Sequence, residues 1–274
     1  MERFILEHLP TLKPETQRRY RSSAKALHPH LEGLWLDQIN RGVLSDMLAY
    51  WQREAKARDT KRNNLACLSS MFSMCIDWDW CDSNPVQTLR KRALGTPVAR
   101  TRYLSHEEET ALLAHARGYM HPMIAFAIDS GLRREEQLSM TWDQVDLNRR
   151  EIIVPITKTS APRVVPLLER SAQILAHHPR HIASNWVWCK SDGSRYSGLT
   201  RGLAGAAKRA GVSDLKWHDL RRTCGTRRLK SGMPLEKVSK WLGHKTIAVT
   251  QRSYAFLDVS DLHRSVAELE SKNA

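Results

Sequence analysis

Tyr254 stands ten residues after His244 of the Leu242-Gly243-His244 triplet and follows the string His218-Asp219-Leu220-Arg221. A phenol is a poor nucleophile toward phosphorus unless strong cations surround the phosphate, and here two arginine-bearing motifs and two histidines precede it in order. The chemistry this set suggests is DNA strand cleavage through a covalent phosphotyrosine.

A phosphodiester resists attack because its negative charge repels nucleophiles and its alkoxide leaving group is unstable. A site working without metal must supply cationic donors to the non-bridging oxygens and a proton to the leaving oxygen. Arginine suits the first task, since its planar fork donates two hydrogen bonds and stays charged. Arg133 lies in Gly131-Leu132-Arg133-Arg134-Glu135-Glu136, where the glycine permits a tight turn and the arginine is expected at a helix start facing a cleft. Arg221 follows His218 by three residues, so one helical turn would point both side chains the same way. Either fragment alone is weak, because basic helix starts and lone histidines are more often structural. Their joint occurrence ahead of a tyrosine carries the reading.

The elements that must position these residues fall into two blocks. From residue 15 to about 80 the pattern is helical, with Pro14 as a first-turn residue and Tyr20, Ala24 and Leu27 at helical spacing. Apolar residues at three- and four-residue steps continue the helical pattern over 36–51. A third helix over 59–78 places Leu65, Leu68, Met71, Phe72 and Cys75 on one side, leaves Lys61 and Arg62 near its start as DNA contacts, and stops by Asn84-Pro85. Residues 88–103 carry five arginines and lysines around Gly95 and Pro97 and read as an extended linker along DNA, with Arg100 and Arg102 as contacts. Beyond it, Ser105 to Glu108 forms a capping-box pattern, Met123 to Ile128 an apolar helix, and 151–167 a β segment. In that segment Ile152, Val154 and Ile156 alternate before a turn containing Lys158 and Pro162.

Bulk properties agree. A chain of 274 residues can hold two domains of about 100 and 170 residues, each burying a core. Lysine and arginine number 43 against 29 acids, for a net charge of +14, the footprint of a protein that neutralises a polyanion. The five cysteines form no CxxC pair, which argues against a disulfide framework or zinc cluster and for a reducing cytosol. No apolar run approaches the roughly 18 residues of a membrane span, and no phosphate-binding GxxxxGK[ST] loop appears.

These strings resemble those of the tyrosine recombinases, the family of lambda integrase and the Xer-type recombinases. The resemblance runs over nearly the whole chain. It implies a mainly α protein with a small β hairpin or sheet, built as two domains in a C-shaped DNA clamp. A helical core-binding domain would occupy 1–90, a basic linker 91–103, and the catalytic domain with its C-terminal helix 104–274. It assigns Arg133 and Arg221 to the non-bridging oxygens and Glu136 to supporting the site. Lys158 would protonate the leaving 5′ oxygen, His218 accept or relay the tyrosine proton, His244 bond the phosphate, and Tyr254 attack. No metal or cofactor is implied. The expected partners are double-stranded DNA at specific recombination sites, a homotetramer formed by C-terminal helix exchange, and accessory DNA-bending or directionality factors, in a cytoplasmic, nucleoid-associated setting.

Two departures stand out. The family step from the LGH histidine to the tyrosine is nine residues, and one extra residue in a connecting loop can be absorbed here. By the resemblance, the chain is also expected to begin almost at the core-binding domain, without an arm-binding module before Glu15. An integrase of a phage or other mobile element is the first expectation; a Xer-like dimer resolvase is the second. A type IB topoisomerase shares the chemistry, and a binder that has lost catalysis, acting as a regulator, is the alternative from another class.

Other residues read as structural. His177, His178 and His181 lack acidic or cysteine partners at ligand spacing and are expected at the surface. Trp186, Trp188, Trp217 and Trp241 are expected to pack, and Cys224 to be a small buried hydrophobe. Val259, Leu262, Val266 and Leu269 recur at helical spacing, as in a helix that packs on a neighbouring protomer or folds back on its own domain.

Overall fold

The structure, a computed structural model, describes residues 1–89, 94, 100–155 and 162–257. Lys158, most of the basic connector and the 259–269 segment lie outside the described residues. The chain divides into two compact units, Met1–Val98 and Ala99–Ala274.

The first unit is helical. Two short helical turns, Phe4–His8 and Leu9–Thr11, precede α1 (Pro14–Leu31), α2 (Arg41–Arg53) and α3 (Arg58–Asp77). Phe4, Leu9, Leu27, Leu44, Trp51, Leu68 and Phe72 make one core. Pro14 opens α1, where its missing N–H costs nothing. The second helix begins later than its apolar pattern suggests. Asn40 caps it by accepting from the N–H groups of Gly42 and Val43 at 2.8 and 3.3 Å, which leaves Leu36–Gln38 as a single 3-10 turn. Lys61 also departs from expectation. The buried stripe of Leu65, Leu68 and Phe72 extends one turn back to it, so Lys61 is 5% exposed and donates from Nζ to Gln52 Oε1 at 2.6 Å. Arg62 stays on the solvent side, 3.6 Å from Asp59.

The second unit contains α4 (His106–His115), α5 (Met120–Ser130), α6 (Arg134–Leu138), α7 (Glu169–Ala176), α8 (Thr200–Arg209), α9 (Trp217–Lys230), α10 (Leu235–Leu242) and α11 (Ile247–Tyr254). The Ser105 capping box is present, with reciprocal bonds to Glu108 at 3.0 and 3.1 Å. Helix α5 is apolar all round and buried, the mark of a central helix, and packs against α7 and α9. The β segment forms an antiparallel pair, β2 (Glu151–Val154) with β3 (Arg163–Pro166), in which Ile152 faces Val165. Ile152, Val154 and Val165 turn into the core while Ile153 and Val164 face outward. The sheet gains a third strand, β1 (Val145–Asp146), too short to leave an alternation in sequence.

The stretch before Tyr254 is a correction. It is not a loop: α11 runs from Ile247 to Tyr254, because Thr250 and Tyr254, one turn apart, share a buried face. His178 is also less exposed than expected, with its ring 4.6 Å from that of Trp188.

Candidate active site

Two helix ends shape the site. Helix α5 stops at Gly131 and α10 at Gly243, each in the left-handed conformation that glycine adopts at little cost. Both carbonyls are then taken by arginines from distant segments. Gly131 O accepts from Arg221 at 2.7 Å, and Gly243 O accepts from Arg133 at 3.0 Å. Arg221 also donates to Leu242 O. The three motifs that lie far apart in sequence are therefore cross-braced through backbone oxygens, with each arginine anchored to a motif other than its own.

Arg133 is the N-cap residue of α6. Its backbone N–H donates to Glu136 Oε2 and its guanidinium to Glu136 Oε1, both at 2.8 Å. Glu136 also receives Arg163, a residue the sequence reading passed over, at 2.7 and 3.2 Å. Burial pushes the Glu136 carboxyl up, but hydrogen bonds and charge from Arg163, then from Arg133, prevail and hold it down at about 2. Arg221 is 3% exposed on α9, and burial, then the charge of Arg133, lowers its proton affinity. Asp219 is fully buried beside it. It caps α9 by accepting from the Lys216 N–H at 2.8 Å and binds Arg222 at 3.0 Å.

Both histidines are neutral at pH 7. Burial lowers the His244 ring to about 4, with Arg221 and Arg133 adding to the effect, and its Nδ1 shares a 2.7 Å hydrogen bond with the buried Thr250 Oγ1. His218 also falls to about 4, first through desolvation and then through Arg221 and Arg222. As a residue His218 is exposed and lines a hollow with Arg133 and Glu136, and the arginine charges act on it through space. A neutral imidazole can accept a proton.

Tyr254 ends α11 and is 6% exposed. Its hydroxyl lies against Gly225 of α9 so closely that a Cβ there would overlap both Oη and Cζ. Burial raises the phenol to about 12, against the lowering charge of Arg221. Cys224, next to this notch, is buried as expected, and burial raises its thiol to about 11.

Two hollows flank these groups. One of about 670 Å³ is lined by Arg133, Glu136, Thr200, Leu203, Trp217 and His218; the other, of about 540 Å³, by Arg163, Lys240, Trp241, Gly243, His244 and Lys245. The expected connector contacts are engaged within the second unit. Arg100 binds Asp219 at 2.6 and 2.8 Å and Asp214 at 2.7 Å, and Arg102 binds Glu108 at 2.6 and 2.8 Å. No cluster of three or more histidines, cysteines and acids with metal-binding geometry occurs among the described residues, and no helix there is long and apolar enough to cross a membrane.

The fold and site define a mostly helical protein whose second unit gathers two guanidinium groups, two neutral imidazoles and a buried phenol. The model of the phage integrase family matches residues 102–260, more than half of the chain, and the chain belongs to that family. Similar proteins include the shufflon-specific DNA recombinase of Escherichia coli, 28% identical over 71% of this chain and 50% of that protein. The integrase of Salmonella phage P22 is 28% identical over 77% of this chain and 57% of its own length. The tyrosine recombinase XerA of Saccharolobus solfataricus is 32% identical over 56% of this chain and 50% of its own. The chain thus spans about half the length of these relatives. Among solved structures, the Tn1549 transposon integrase in complex with transposon right end DNA has a TM-score of 0.76 at 18% identity, covering 99% of each chain. A lambda integrase dimer bound to a core site has a TM-score of 0.75 at 20% identity, covering 92% of this chain and 75% of that one.

Proposed function

We propose that this chain cuts and rejoins DNA at specific sites through a 3′-phosphotyrosine, as the integrase of a phage or other mobile element. The convergence of Arg133, Arg221, His218, His244 and Tyr254 from four short motifs carries the reading, together with membership of the family. Tyr254 Oη bonds to the scissile phosphorus, its proton passes to His218, and the bond to the 5′ oxygen breaks, with Lys158 supplying the proton that leaves it as a hydroxyl. Arg133 and Arg221 hold the non-bridging oxygens, and His244 adds a hydrogen bond as charge builds. The phosphodiester energy stays in the covalent bond, so a 5′ hydroxyl from another strand reverses the step and joins the DNA. The working assembly is a homotetramer on DNA linked through the C-terminal segment.

The likeness to XerA favours a second reading, a resolvase that acts between two copies of one site. Plasmids bearing one site or two direct repeats separate the two roles.

The founding test is a suicide assay on a nicked duplex library, with EDTA present, comparing wild type with Tyr254→Phe. A denaturant-resistant protein-DNA adduct is expected from the wild type alone. An adduct from Tyr254→Phe would reassign the nucleophile, while sequence-specific binding with no adduct from either would favour the regulator. Binding itself should weaken steeply with salt, by about 0.9 decade in affinity per decade of salt for each phosphate contacted.

A further inference from the structure

We infer that Arg163 is a positioning residue for strand cleavage: it locks the Glu136 carboxylate to the turn at 241–243, and so sets where Arg133 and His244 meet the phosphate. The inference rests on the proposed reaction and adds a residue to it.

Arg163 opens β3, five residues after Lys158, and its side chain is 7% exposed. Its three guanidinium nitrogens are all used. Two grip the Glu136 carboxylate at 2.7 and 3.2 Å, and Nε donates to Trp241 O at 3.0 Å. The same two carboxylate oxygens take the backbone and side chain of Arg133, whose other terminal nitrogen donates to Gly243 O. Gly243 in turn lies flat on Arg163, since a Cβ there would come within 2.7 Å of the Arg163 guanidinium. Arg163, Glu136, Arg133 and the 241–243 turn thus close a ring of hydrogen bonds and contacts, with His244 as the next residue along the chain.

A ring of this kind needs the arginine fork. Lysine carries the charge but is a point donor on a flexible stem, unable to hold a carboxylate edge and a backbone carbonyl at fixed angles together. Without the fork, Glu136 keeps its bonds to Arg133, but its carboxylate and Trp241 O are no longer held by one guanidinium. Displacement of a phosphate-binding group by about 1 Å is enough to cost roughly 10²-fold in rate.

The test measures the rate of adduct formation on the suicide duplex at saturating DNA, together with DNA affinity and melting temperature. Arg163→Gln should slow the adduct roughly 10²-fold while affinity moves less than about 3-fold. Arg163→Lys should recover no more than about a tenth of the wild-type rate, and Glu136→Gln combined with Arg163→Gln should be about as slow as the slower single variant. The pH profile adds a readout that loss of packing alone would not move. Glu136 is held down by Arg163 and Arg133, and without Arg163 its burial is less opposed, so the acid limb of the rate profile should lie at higher pH in Arg163→Gln than in the wild type. A wild-type rate in Arg163→Lys, or losses that multiply in the double variant, would overturn the inference. If the wild type forms no adduct, the recombinase reading fails first, and the ring is then tested without DNA. Arg163→Lys should begin to lose stability at higher pH than the wild type on acidification, and coincident acid transitions would overturn it.

Discussion

The two units differ in how they use buried acids. In the first, the pairs Arg3 with Glu7, Arg18 with Glu15 and Arg62 with Asp59 join residues three or four apart, on acids that are 53% to 82% exposed. In the second, Asp219, Glu136 and Glu109 are at most 8% exposed as side chains, and each binds two arginines drawn from different segments. Arg100 reaches Asp219 across 119 residues of sequence. Exposed pairs at helical spacing are screened and contribute little, whereas a buried carboxylate with two guanidinium partners fixes the segments that carry them. The contrast teaches that a chain with a net charge of +14 uses its few buried acids as a frame for cations, and keeps its solvated ones as ordinary surface.

The largest expected break of that contrast is Asp219→Asn. It leaves Arg100, Arg222 and the start of α9 without their shared carboxylate, and should cost about 3–5 kcal/mol in urea unfolding. A loss below about 1 kcal/mol would mean that the buried acids do not frame the second unit. Gly225→Ala comes next. The added methyl displaces the Tyr254 ring, at about 1–3 kcal/mol for an overpacked site. Tyr254 also supplies a pH signature. Its pKa is raised from the usual 10 to about 12, so the stability it contributes is present below pH 10 and lost as pH rises toward 12. Ultraviolet titration of Gly225→Ala should find this phenol ionising closer to 10, and an unchanged titration would place the ring elsewhere. The smallest effect belongs to the first unit. Asp59→Asn should change stability by less than about 0.5 kcal/mol, and a larger loss would erase the difference between the units.

Much of the site was legible because its chemistry is carried by short motifs with local cues. Gly131 ends α5 and Gly243 ends α10, as glycines do; the capping box at Ser105 formed as written; the alternation of Ile152 and Val154 gave the sheet its inner face. The partners that hold those motifs were not legible. Arg163 meets Glu136 across 27 residues and Arg170 meets Glu109 across 61, distances over which no periodicity pairs one charge with another. Lys61 shows a nearer failure. Its spacing of four from Leu65 places it on the buried stripe, whereas its residue type points to solvent or DNA. Thr250 has a signal in its four-residue step to Tyr254, which puts both on one face of a helix.

The notch at Gly225 has an evolutionary meaning. Every amino acid other than glycine brings a Cβ, so each amino-acid replacement at codon 225 adds at least one carbon beside the phenol oxygen. The resting place of Tyr254 is defined by a missing atom, and mutation at that codon can only fill it. Variation that retunes the nucleophile while keeping this seat must therefore arise elsewhere, in α11 or in the residues that meet its ring.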